Sequence, residues 1–428
     1  MINIETKHDG FTAFGGLAHI FNVMESCGIL KLIDKELGPR GVRRSSFSYA
    51  DVFKALAAIY LTGGECLEDV NRTRDFWSGE SRIPSPDVIG RSLKELKAAG
   101  VYRQSEKNAA YKFNMASRMN RLLVKSARML GQLPLSGELV IDYDNQLIAT
   151  EKKDAEYSYK HLSGYFPGVA AIGPAIVYLE NRDGNASVKF CQRETLRRMF
   201  GHLKKELPGR EFVFRADAGS YTKEVLEMVS GECSRFFVRA NACGRRRAMY
   251  EEYKGWRKAE VNGERLEVAD FCFDDFDRCG HLRLVVQRAV NDDGESPDLF
   301  GKQYTYRAIL TNDFLMTGEE VISFYNQRGA AERNFDMQNN DFGWSHMPFS
   351  DMAENTVFLI MTAILKNFYG MLAREVSRHV PGLKATSRVK RFVNKFVSVP
   401  AKWVRTGRRR ILKLFSPYNF YDRFAYRI

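Results

Sequence analysis

Paired cysteines, clustered histidines and a hydrophobic leader are all missing from this chain of 428 residues. Its seven cysteines (Cys27, Cys66, Cys191, Cys233, Cys243, Cys272 and Cys279) contain no C-x2-C pair. An odd, scattered set suits reduced thiols in a cytoplasm and argues against a disulfide framework or a zinc site. The seven histidines do not cluster either. The opening MINIETKHDG is polar and charged, unlike a secretory signal. The longest apolar run, Thr356 to Leu365, is too short for a membrane span and is followed by Lys366. A soluble, cytoplasmic protein with no membrane partner is expected. Internal repeats and low-complexity segments are absent too. What the chain does have is 44% hydrophobic and 12% aromatic residues, enough for a large core and too many for a disordered protein. Its length points to two or three units.

Acidic residues run out at one end. From Met371 to Ile428 fifteen Lys and Arg face two acids, Glu375 and Asp422. That net +13 equals the charge of the whole chain, so the first 370 residues are neutral overall. A basic end carrying Phe392, Phe396, Trp403 and the run Arg408-Arg409-Arg410 suits a polyanion. A solvated or membrane-surface amphipathic tail has the same composition, and the rest of the chain must decide.

Residues 1–135 read as a helical unit for DNA binding or dimerisation. GLAHIFNVMESCGILKLIDKELG (16–38) has helical apolar spacing and a closing Gly38. SYADVFKALAAIYLTGG (48–64) starts with Ser48 three residues before Asp51, a cap signal. Short helices are expected around 66–76 and from Ser85, with Pro86 in the first turn. The turn-rich GESRIPSP between them fits a helix-turn-helix, and equally a plain bundle. A long amphipathic helix is expected from Gln104 to Leu130.

The character changes after Leu135. GELVIDYDNQLIAT (137–150) is a strand with Asp142 and Asp144 on one side. AAIGPAIVYLEN (170–181) and ASVKF (186–190) read as the second and third strands, 192–207 as a helix, and EFVFRAD (211–217) as a buried strand ending in Asp217. A helix and the strand CSRFFVRAN (233–241) follow. This order is that of an RNase H-like mixed sheet covered by helices, spanning 136–241 and completed by 304–370. The segment 242–303, with HLRLVVQRAV (281–290), reads as a β-rich insertion, and 371–428 as a basic helical tail.

After the strand YTYRAILTND (304–313) comes a helix with a capping box, Thr317 and Glu320. Tyr325, Arg328 and Glu332 fall at i, i+3 and i+7, and Asp336 and Asn339 extend the same face. A solvated Arg–Glu pair is the plain reading of that stripe. The spacing resembles the Tyr-x2-Arg-x3-Glu-x6-Lys signature of DDE insertion-sequence transposases on an RNase H-like fold. Asn339 stands where the signature has Lys. The flanking NNDFGW and AENTVFLIMTAILKNFYG resemble the subgroup with a two-Asp first strand, and Arg-Ala-Asp217-Ala-Gly matches the family's Arg-Ala-Asp-x-Gly.

The resemblance implies that Glu332 is the third metal-binding carboxylate, that Asp217 is the second, and that Tyr325 and Arg328 hold transposon-end DNA, with Asn339 at a phosphate-contact position. The first carboxylate is either Asp142 or Asp144. The family's catalytic Asp precedes a polar turn residue at a strand end, which favours Asp144 and leaves Asp142 as an alternate ligand. Two acids at strand ends and one on a helix repel one another unless cations bind. Phosphodiester chemistry needs such oxygen clusters, with two ions about 3.5–4 Å apart. Mg²⁺ is favoured and Mn²⁺ acceptable. The expected partners are double-stranded DNA, both transposon ends and target, and a second copy of the chain. A nuclease without strand transfer, or an inactive DNA-binding derivative, would share most of these features.

Overall fold

The computed structural model of the chain describes residues 10–40, 47–77, 82–273, 276, 279–290, 304–407 and 409–424. The amino-terminal unit opens with β1 (Phe11–Thr12) and helices α1 (Leu17–Ser26), α2 (Ile29–Leu37) and α3 (Tyr49–Tyr60). α3 starts where its sequence dictates: the Ser48 hydroxyl accepts the Asp51 N–H, and the Asp51 carboxylate accepts the Ser48 N–H. Leu67–Trp77 is a 3-10 helix, and α4 (Pro86–Lys94) follows with Ser85 as its cap. Lys94 and Lys97 pair with Glu354 at 3.2 and 3.1 Å, so part of the basic face near α4 is turned to the protein itself.

The expected helix from Gln104 is corrected. β2 (Val101–Gln104) and β3 (Ala110–Asn114) form a hairpin there, and only α5 (Ser117–Met129) is helical. Tyr111 and Phe113 alternate with polar residues at the period of a strand, and Asn108 takes the left-handed conformation at the turn.

The central layer follows as β4 (Leu139–Asn145), the short β5 (Ile148–Ala149), β6 (Glu156–Tyr157) and β7 (Ser163–Tyr165), then β8 (Gly168–Ile172) and β9 (Ala175–Arg182). The run expected as one second strand is therefore a hairpin, turning at Gly173, whose φ of 56° suits the missing side chain. ASVKF is a turn and not a third strand. Next come α6 (Gln192–Glu206), β10 (Phe212–Ala216), α7 (Lys223–Glu232), β11 (Arg235–Arg239), α8 (Gly244–Glu252), β12 (Arg257–Val261), β13 (Glu264–Phe273), β14 (Leu282–Val290) and β15 (Tyr304–Thr311).

Eleven strands join one mixed sheet in the order β12-β13-β14-β15-β11-β10-β4-β8-β9-β3-β2. β4, β10 and β11 are parallel; their outer neighbours β8 and β15 run antiparallel. The segment after β11 is thus β-rich as expected, and its strands extend the central sheet instead of standing apart from it. One face of the sheet buries Ile141, Phe214 and Val238 with Phe200 and Leu226 of α6 and α7. The other buries Val213, Phe237 and Ile309 under α9 (Gly318–Asn326).

α10 (Gly329–Asp341) and α11 (Met352–Ser377) complete this half. By length and composition α11 could cross a membrane, but 89% of its apolar window is buried inside the protein, where it packs with α1–α5 in a single core. The carboxy-terminal stretch, expected to be helical, is corrected to helical turns interrupted by a β-hairpin. After α12 (Val389–Phe392) and one π turn, β16 (Ala401–Thr406) and β17 (Arg409–Leu414) form a hairpin that pairs with β1. Trp403 alternates with Lys402 and Val404, and its indole N–H donates to the Phe76 carbonyl at 2.7 Å.

The hairpin is therefore part of the amino-terminal core and not a detachable tail. Trp403→Ala should cost about 2–3 kcal/mol, less than a fully buried Trp, measured as a fall in the urea midpoint at constant slope. An unchanged midpoint would show that the hairpin is held by its strand pairing to β1 alone.

Candidate active site

β4 and β10 lie side by side in parallel, with Asp142 opposite Arg215 and Tyr143 opposite Ala216. One residue further along, Asp144 and Asp217 stand level at the same edge of the sheet. Alternation places Asp142 and Asp144 on the face of Val140, the face covered by α9. β8 passes close beside this edge because Gly168 has no side chain: a Cβ there would lie 2.1 Å from the Tyr143 hydroxyl oxygen.

Asp142 and Arg215 are 4% and 5% exposed and meet bidentately. Arg215 Nε donates to Oδ1 at 2.7 Å and Nη2 to Oδ2 at 2.8 Å. The remaining arm, Nη1, donates to the Phe324 carbonyl at 2.5 Å, and the guanidinium lies 4.7 Å over the Phe324 ring. Burial raises the Asp142 carboxyl above its usual range, while Arg215 pulls it down. Both oxygens of Asp142 are thus occupied. Sequence reasoning missed Arg215, although an arginine inside FVFRA carried the signal: a guanidinium buried in an apolar strand needs a carboxylate on the neighbouring one.

Asp144 is different. Its Oδ1 accepts only the N–H of Asn145 at 2.8 Å, and its Oδ2 pairs with Arg328 Nη2 at 2.8 Å. Burial pushes its carboxyl up to about 6; Arg328 opposes this, and the charges of Asp217 and Glu332 add to it. Asp217 caps the short 3-10 turn Ala218–Ser220, accepting the Gly219 N–H at 3.0 Å.

The helix expected from Thr317 onward is two helices. The capping box of Thr317 and Glu320 is present, but α9 ends at Asn326 and α10 begins at Gly329. Tyr325 lies in the last turn of α9 and its hydroxyl donates to the Ala216 carbonyl at 3.3 Å, beside Asp217. Arg328 sits at the junction, with its Nε buried and, among the described residues, without a hydrogen-bond partner. Glu332 is exposed in the first turn of α10, within electrostatic reach of Asp144. Asn339 is half-buried two turns further on, and among the described residues nothing links it to the strand acids. Asp336 is drawn off to Arg388.

Among the described residues no three His, Cys, Asp or Glu side chains stand close enough together to cage a metal ion. The donor set nevertheless fits a hard divalent cation in kind. Asp144 and Asp217 end adjacent strands, the charges of Asp217 and Glu332 both act on Asp144, and a guanidinium supplies the opposing charge. Arg409 and Arg410 are elsewhere, on β17, where Arg410 lies 4.9 Å over the Trp403 ring. Arg408 falls outside the described residues.

A family model described as "Transposase DDE domain group 1" matches residues 2–427 of the chain. No curated protein matches it.

Two measurements separate the roles of the paired acids. Asp142→Asn leaves Arg215 buried without a countercharge and should destabilise the fold by about 3–5 kcal/mol. Asp144→Asn should do the opposite in EDTA. A folded value near 6 against an ordinary 3.8 means that ionising Asp144 disfavours the fold. That penalty is absent below about pH 4, grows as pH rises through 6, and amounts to at most about 3 kcal/mol above it. The variant should therefore melt higher than the parent at pH 7.5 and equal to it at pH 4. A lower melting point at pH 7.5 would mean that the bond to Arg328 outweighs burial.

Proposed function

We propose, from the premise that this chain belongs to the DDE transposases, that it cuts DNA at the ends of a bacterial insertion sequence and joins the freed 3′-OH to target DNA. The observation that carries this reading is that Asp144 and Asp217 follow one another's register at the ends of adjacent parallel strands, with the charges of Asp217 and of Glu332 on α10 both acting on Asp144. The parallel trio β4, β10 and β11 flanked by antiparallel neighbours, with helices on both faces, supports an RNase H-like core.

Asp144, Asp217 and Glu332 would hold divalent cations, Mg²⁺ or Mn²⁺. When bound, such ions supply activation of the attacking oxygen and stabilisation of the leaving one. The protein's own groups do the rest. Arg328 has one terminal nitrogen on Asp144, and its other terminal nitrogen would take a DNA phosphate at the scissile position. Tyr325, fixed to the backbone next to Asp217, lines the path of the strand. Asp142 serves the site through Arg215 by fixing β4, β10 and the end of α9. The hairpin β16–β17 carries Lys402, Arg409 and Lys413 on the face opposite Trp403, a spacing suited to phosphates, which report no sequence. Action on paired ends calls for a homodimer.

A simple nuclease would share the carboxylates, and a domesticated binding protein would share the basic surfaces. A strand-transfer assay with paired ends distinguishes them: joined product supports the transposase, nicks alone the nuclease, and binding without nicking the derivative.

Glu332→Gln should abolish cleavage while keeping DNA affinity near that of the parent, since it removes a charge the cations need and no bulk. Nicking that persists above about a tenth of the parent rate would remove Glu332 from the site. For the hairpin, Lys402, Arg409 and Lys413 changed together to Gln should make the salt dependence of binding shallower by about 2.7 log units per log unit, at about 0.9 per phosphate contact. An unchanged slope would place the hairpin off the DNA.

A further inference from the structure

An open groove of about 780 Å³ begins at Ala218, the residue after Asp217, and runs between α8 and the exposed parts of β11 and β15. Arg239, Arg246, Arg247 and Arg307 line it together with Tyr304 and Tyr306, and no acidic residue does. Two of the arginines are committed. Arg246 donates to the Tyr221 hydroxyl and to the Asn241 carbonyl, each at 2.7 Å, and Arg247 pairs with Glu251 at 2.8 Å. Arg239 and Arg307 are exposed, and among the described residues neither side chain has a partner. Ala218, which lines the groove, directly follows Asp217, so the groove starts beside that carboxylate. The amino end of α8, at Cys243 and Gly244, opens onto the same space and adds its partial positive charge.

A second groove, of about 580 Å³ along β12–β14, shows what this one is not. There Lys258, Arg265 and Arg288 are interleaved with Glu260 and Glu267, and Arg288 is bonded to Glu267 at 2.7 Å. Both signs of charge are present there. The first groove has a surplus of one sign beside Tyr306, whose half-buried ring packs beside Tyr250 at 5.6 Å, while Arg288 already lies 4.2 Å over the ring of Tyr304. Arginines that track a backbone and rings that accept base faces are what single-stranded nucleic acid requires.

We infer that this groove binds a single-stranded stretch of DNA where it passes Asp217, with Arg239 and Arg307 on phosphates and Tyr306 against a base. The inference rests on the transposase reading and adds to it a seat for the strand beyond the cut.

The test uses the full chain in EDTA and a duplex of generic sequence, either blunt or extended at its 3′ or 5′ end by about eight thymidines. The parent should bind one of the tailed duplexes at least about tenfold tighter than the blunt one. Arg239→Gln with Arg307→Gln should erase that gain and leave blunt-duplex affinity unchanged. It should also make the salt slope on the tailed DNA shallower by about 1.4, two contacts at about 0.7 each. Both side chains are exposed, and an unchanged melting point confirms the fold; Arg307→Gln alone, read the same way, should erase part of the gain. Equal binding of tailed and blunt DNA by the parent overturns the inference, and so does a double variant that keeps the gain or loses affinity for both DNAs alike. A parent that binds no DNA of any kind would instead overturn the transposase reading on which the inference stands.

Discussion

Arg215 spans three elements with one buried guanidinium: two donors go to Asp142 on the neighbouring strand and one to the carbonyl that closes α9. The backbone ladder already holds β4 against β10, and the buried ion pair adds a side-chain lock to the same register. Any shift of the forked cation from its carboxylate leaves a buried charge without its partner. The register this pair enforces puts Asp144 level with Asp217, and its third bond brings the last turn of α9, with Tyr325, against Ala216. Placement of the carboxylate edge thus follows from an ion pair that is not itself at the edge.

Electrostatics at that edge are unbalanced as the protein stands. Asp144 is raised toward neutrality by burial and by its acidic neighbours, and Arg328 offsets this from a helix junction. The junction matters. A continuous helix would keep Tyr325, Arg328 and Glu332 on one rigid stripe, whereas the break at 327–328 places Arg328 between two helices, one docked on the sheet and one leading away from it. A guanidinium held there by one carboxylate oxygen, its Nε without a hydrogen-bond partner among the described residues, is only partly committed.

Local signals in the sequence reported local structure well. The capping boxes at Ser48 and Thr317 and the strand endings at Asp144 and Asp217 follow from side chains acting on backbone within three or four residues. Long-range pairing left weaker traces. β2 and β3 extend the sheet from within a stretch whose basic residues recur at helical spacing, and only the alternation of Tyr111 and Phe113 argued for strands. The break before α10 has a single cue, Gly329, in a segment otherwise suited to helix. The separation of Asp142 from Asp144 could not be read from β4 alone, since both occupy one face; it depends on which one meets Arg215, 73 residues away.

The basic end shows why net charge is a poor guide to what a segment does. Its excess of +13 suggested a sleeve for DNA, yet several of its cations are used within the protein. Arg388 reaches α10 and binds Asp336 and, at 2.5 Å, Asp341, while Arg410 lies over Trp403. From the same segment Trp403 bonds Phe76 in the amino-terminal unit, and the Tyr421 hydroxyl donates to Phe396 at 2.8 Å. One stretch of chain therefore straps the amino-terminal helices to the helix that carries Glu332. Charge left over for a polyanion is confined to residues whose register points them away from this packing, and those are fewer than composition implies.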